Sequence, residues 1–162
     1  MKGRFPVGCT RGLSFLLLSV AALPSLVAQA APGGPESNDT TAIAQKFVAE
    51  RLQVWQSRLN LSDWKISVVL APAADLRPET LGNVHWHLDQ KIAVIRILAP
   101  SGYRLPVKQM LDDMEFTIVH ELIHLQLAPL LSNTTRSNSS HFEEEQVADY
   151  MAGALLRLDR TR

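Results

Sequence analysis

His120-Glu121-Leu122-Ile123-His124 sets two imidazoles four residues apart with a carboxylate beside the first. On an α-helix, positions four apart lie one above the other, so both imidazoles can reach a single metal ion. Glu121, one step round the helix, would stand beside that ion and could take a proton from the attacking water. The spacing offers two ligands and a general base in one turn. A catalytic zinc site usually needs three protein ligands, so a third must come from another part of the chain. Glu145, Glu144 and His141 are the candidates.

The motif needs a helix under it. Pro106 suits a first helical turn, residues 107–128 contain no Gly or Pro, and Pro129 is expected to stop the helix. Leu111, Met114, Ile118, Leu122 and Leu125 recur at threes and fours and form an apolar face. Asp113, Thr117, His120 and His124 lie roughly opposite, so Asp113 and Thr117 either support the histidines or form polar cleft wall. The bland alternative is a buried helix that carries two histidines by chance.

The third ligand separates the classes of zinc peptidase. The metzincin extension H-E-x-x-H-x-x-G-x-x-H is absent: Leu127 stands at the Gly position and Leu130 at the last His. Further on, Glu145 and Asp149 are again four apart, on a stretch from Glu143 to Leu158 that reads as another helix. Acidic residues are common at helix starts, where the dipole favours them, so Glu143 to Glu145 could be a simple charge run. Together, however, the two segments resemble the gluzincins, the thermolysin-type zinc metallopeptidases. The resemblance implies zinc as cofactor, Glu145 as third ligand, and Asp149 as the partner that orients His120. Carboxylates in that position fix the imidazole tautomer and raise its basicity. Larger gluzincins steady the oxyanion with a Tyr or His beyond the glutamate helix, a segment with no counterpart here. Tyr150, His141, His85 and His87 are the substitutes on offer.

Composition gives the chain an address. Lys2, Arg4 and Arg11 precede or flank the uncharged apolar run from Leu13 to Leu23, and Ala28-Gln29-Ala30 reads as a cleavage site. Residues 1–30 are therefore expected to be a signal peptide, and the mature protein to be secreted or periplasmic with no stable membrane anchor. Removing those three basic residues from a chain with 16 Lys+Arg and 16 Asp+Glu leaves a slight excess of acid. No basic field exists to attract nucleic acid. The single Cys, Cys9, lies in the leader, so disulfides cannot staple the mature chain.

Residues 31–39 are Pro/Gly-rich and read as a flexible lead-in to one domain over 40–162. Thr40 or Thr41 is expected to cap a helix running to about Leu59. Trp64 to Leu70 reads as a strand, and Asn83–Leu88 with Lys91–Leu98 as a hairpin. Val84, Trp86 and Leu88 share its core face, while His85 and His87 share the other, which is either solvent-facing or the rim of a substrate cleft. Tyr103 and Arg104 precede the motif helix and are expected to pack or to line the cleft. Trp55, Trp64 and Trp86 read as core aromatics. The expected class is α+β: a backing helix, a small three-stranded twisted sheet, the motif helix and a glutamate helix, an arrangement similar to the zincin-like half of gluzincins. The expected activity is internal cleavage of peptide or protein substrates by a monomeric zinc enzyme. The alternatives are a zinc amidase acting on cell-wall peptides and a non-catalytic zinc-binding or interaction domain. Glu121 weighs against the last, since structural zinc needs no base and favours Cys.

Overall fold

The computed structural model describes residues 35–131 and 137–161. The expected signal peptide, the lead-in up to residue 34 and loop positions 132–136 lie outside them. The first helix, α1 (Pro35–Arg58), begins earlier than expected, with neither Thr40 nor Thr41 as its cap. Pro35 at the start is compatible with helix, because the N–H it lacks would have no partner in the first turn. Ala44, Val48, Leu52 and Trp55 form the buried stripe of α1. Asn60, at φ 54°, then takes the left-handed conformation that ends many helices. Leu61 N–H closes that end on Gln56 O at 2.9 Å.

Three strands follow: β1 (Lys65–Ala71), β2 (Gly82–His87) and β3 (Ile92–Leu98). Their spatial order is β1-β3-β2, with β1 parallel to β3 and β2 antiparallel to it. The sheet is therefore mixed, and β2 is an edge strand. Ala93, Ile95 and Ile97 point from β3 into the core. Val84 and Trp86 pack partly buried against the same core, and His85 and His87 are exposed, as the alternation predicts. The β1–β2 connection crosses the end of β3, where Leu98 N–H bonds Leu81 O at 2.8 Å and Ala99 N–H bonds Ala71 O at 2.7 Å.

Beneath the sheet runs α2 (Val107–Leu131), the motif helix. Met114, Ile118, Leu122 and Leu125 are buried as expected, and Met110, Val119 and Ile123 are buried as well. Pro129 does not end the helix, which continues to Leu131. Placed in the last turn, the proline removes one backbone hydrogen bond and leaves little helix downstream to disrupt. The last helix, α3 (Asn138–Arg160), starts five residues before the expected Glu143. Ser137 and Ser140 form a reciprocal cap, with Ser140 N–H bonding Ser137 Oγ at 3.1 Å and Ser137 N–H bonding Ser140 Oγ at 2.9 Å. A run of serines that reads as loop is thus the start of a helix, because their hydroxyls satisfy its free N–H groups.

One buried carboxylate ties the helices together. Glu115 on α2 accepts from Arg51 Nε at 2.6 Å and from Trp55 Nε1 at 2.7 Å, both on α1. Arg51 also pairs with Asp159 on α3 at 3.1 Å, and Arg58 reaches Asp159 at 2.7 Å. Arg51 on α1 thereby links Glu115 on α2 to Asp159 on α3. No described helix is long and apolar enough to cross a membrane.

Candidate metal centre

One turn of α2 and one turn of α3 face each other across the site. His120 and His124 project from the same side of α2, with their Nε2 atoms 3.0 Å apart. Glu145 on α3 brings Oε2 to 3.2 Å from His120 Nε2 and Oε1 to 3.5 Å from His124 Nε2. These three residues form a group that could hold a metal ion. Ligand atoms about 2.0–2.1 Å from a tetrahedral ion are about 3.3 Å from one another, which the observed spacings bracket.

The outer nitrogens explain why the inner ones are free to bind. His120 Nδ1 lies 2.9 Å from Asp149 Oδ1, and His124 Nδ1 lies 2.8 Å from Glu144 Oε1. Ionised carboxylates only accept, so in each case Nδ1 donates. In the neutral imidazole that leaves a bare lone pair on Nε2. Both Nε2 atoms and the Glu145 carboxylate then converge, and their lone pairs are the donors a cation takes. The donor set of two imidazoles and one carboxylate suits zinc chemically.

Glu144 corrects the sequence expectation. It lies outside the group that could hold a metal ion, and it is not an idle member of the charge run. It is buried, at 7 % exposure, and bonds the back of His124. Asp149 does the same for His120, as the resemblance implies. On a helix the three acids point in different directions: Glu145 inward to the ligand group, Glu144 and Asp149 to the outer sides of the two rings. Nothing in the sequence marks Glu144 apart from its neighbours Glu143 and Glu145, because its partner His124 is distant in the chain.

His141, expected at the end of a loop, is on the first turn of α3. Its Nδ1 is 3.7 Å from Glu145 Oε1, and it lies outside the ligand group.

Glu121 is 6 % exposed and lines the cleft above the triad. Burial pushes its carboxyl up to about 8, the charge of Glu145 adds to the shift, and Arg77 opposes it. Gly82, the first residue of β2, lets the strand approach Glu121. A Cβ there would stand 2.4 Å from Thr117 Cγ2, 2.9 Å from Arg96 O and 3.2 Å from Glu121 Oε1. Thr117 lines the cleft, and its hydroxyl donates to Asp113 O at 3.0 Å rather than to either histidine. Asp113 does not reach the cleft, and burial raises its pKa.

The cleft has a volume of about 750 Å³ and runs between β2 and the two helices. Asn83, Val84, His85 and Trp86 form its upper wall. Of the residues considered as oxyanion stabilisers, His141 and His85 line the cleft. Tyr150 is 73 % exposed and His87 is exposed, and neither lines it. Tyr103 is packed against the core and Arg104 is exposed, both away from the cleft.

Comparison with protein-family models, with curated proteins and with solved structures finds no match to this chain.

Proposed function

We propose that the protein is an exported zinc-dependent endopeptidase in which His120, His124 and Glu145 hold the metal and Glu121 is the general base. The observation that carries this reading is the convergence of three lone-pair donors, with each imidazole held from behind by its own carboxylate and a buried carboxyl standing beside the group. Bound zinc would polarise the scissile carbonyl and lower the pKa of the attacking water toward neutrality. Glu121 then accepts the proton of that water and returns it to the leaving amine. Asp149 and Glu144 keep both rings in the tautomer and orientation that the ligands require.

A peptide suits the cleft because, among the described residues, β2 pairs with β3 alone, and residues 82–86 of this edge strand line the cleft. An extended peptide can add there as a further strand, with its main chain bonded to β2 and a carbonyl presented to the metal group. The resemblance to gluzincins and the expected signal peptide support an exported enzyme of this class.

The decisive variant is Glu121→Gln. It should retain zinc and fold and lose peptide hydrolysis by several orders of magnitude, measured on a broad panel that includes cell-wall peptides. A wild-type chain that binds zinc and cleaves nothing on that panel would make it a metal-binding module instead.

A further inference from the structure

Arg77 is the one Lys or Arg among the described residues that line the cleft, whose acids there are Glu79, Glu121, Glu145 and Asp149. The other cleft acids have tasks in the centre: Glu145 faces the histidines, Asp149 holds His120, and Glu121 is the buried base. Arg77 makes no ion pair with any described residue, and it lines the same cleft as Glu121. It is thus an exposed cation at the wall of the cleft, outside the ion pairs of the described residues.

Its backbone is fixed. Thr80 N–H bonds Arg77 O at 3.2 Å, and Thr80 Oγ1–H bonds the same oxygen at 2.9 Å. Pro78 sits at the second position of this turn, and Glu79 at the third has φ 63°. That is the pattern of a type II turn, whose third position normally takes Gly. A non-Gly residue held in the left-handed region is strained, and such strain gathers where a loop must present a group in one place. The turn lies just upstream of Gly82, the residue that approaches Glu121. Arg77 is therefore offered at one end of the upper wall, a few residues before Gly82 in the chain.

We propose that Arg77 is a specificity residue that binds a carboxylate of the substrate, an acidic side chain close to the scissile bond, with a terminal carboxylate as the source the test separates from it. Guanidinium pairs with carboxylate through two parallel N–H···O bonds, which gives both affinity and orientation. This rests on the peptidase reading of the same cleft, and the test separates the two.

Binding is measured by calorimetry on the full zinc-loaded chain carrying Glu121→Gln, so that hydrolysis does not intervene. The probes are an acetylated tripeptide of small neutral residues with a free C-terminal carboxylate, its C-terminal amide, and the amide bearing one Glu side chain. With Arg77 present, one of the carboxylate probes should bind at least about tenfold more tightly than the neutral amide, and which one identifies the source. Arg77→Ala should erase the difference and leave the amide unchanged, while Arg77→Lys should keep part of it. Zinc content and circular dichroism should be the same in all three proteins. A preference that survives Arg77→Ala, no preference at all, or no measurable binding of either carboxylate probe would overturn the assignment. So would kinetics on the Glu121 protein in which Arg77→Ala lowers kcat equally for charged and neutral peptides, since that marks an oxyanion role. If the carboxylate preference depends on Arg77 but no peptide is cleaved, the peptidase reading falls and the binding site stands.

Discussion

His124 donates its Nδ1 proton to Glu144 at 2.8 Å, and Glu144 is as buried as the histidine it holds. His120 has the same relationship with Asp149, but there the carboxylate is largely exposed, at 60 %. The two ligand histidines are thus fixed in the same way under different screening.

That difference sets the order of two substitutions. Loss of a carboxylate behind a ligand histidine typically costs about ten- to a hundredfold in metal affinity. Glu144→Ala should lie at the upper end of that range, because the bond it removes is shielded from water, and Asp149→Ala at the lower end. Glu144→Gln should recover most of the loss, since its amide oxygen can still accept from Nδ1–H. Zinc titration against a competing chelator measures all three. Unchanged affinity in Glu144→Ala would show that the carboxylate only packs.

A pH dependence follows from Glu121 once metal is removed by a chelator. Its folded pKa, about 8, lies above the ordinary value of 4.5. Between those values the folded chain holds a proton that the unfolded chain has lost, so stability falls as pH rises through this window and levels off above it. The loss should be on the order of 1 kcal/mol per pH unit. Glu121→Gln, which cannot ionise, should flatten the slope and gain stability over wild type as pH rises. Parallel urea curves for the two proteins from pH 5 to 8 would contradict the burial of this group.

Gly82→Ala should destabilise the fold by about 1–3 kcal/mol, the usual cost of forcing a methyl into a filled site. Thr117→Ala removes the nearest obstacle, the Cγ2 at 2.4 Å, so the double variant should recover part of the loss. Additive losses in thermal or urea unfolding would mean that the clash with Arg96 O alone governs the site.

The candidate metal site is legible in the sequence because its information is local. His120, Glu121 and His124 share one turn, and Glu145 and Asp149 repeat the four-residue spacing on a second helix. The apolar stripe of α2 and the alternation of β2 were read for the same reason. What escaped depends on partners distant in sequence. Glu144 looks like solvated charge until α3 turns it toward His124, and Arg77 looks like a loop residue until its turn is set beside Glu121. Helix limits shifted where side chains cap or tolerate an end: Ser137 and Ser140 extend α3 backward, and Pro129 fits the last turn of α2. The β1-β3-β2 order had no sequence signal, since it depends on the loop after β1 crossing the end of β3.

The central claim is that His120, His124 and Glu145 together bind one zinc ion. Anomalous diffraction at the zinc edge, on crystals of the mature chain grown with zinc, tests it most directly. The account predicts one peak per chain, bonded to both Nε2 atoms at about 2.0–2.1 Å and to a Glu145 oxygen at about 2.0–2.2 Å. A peak bonded to Glu144 or His141 in place of Glu145, or no peak between the two histidines, would contradict it.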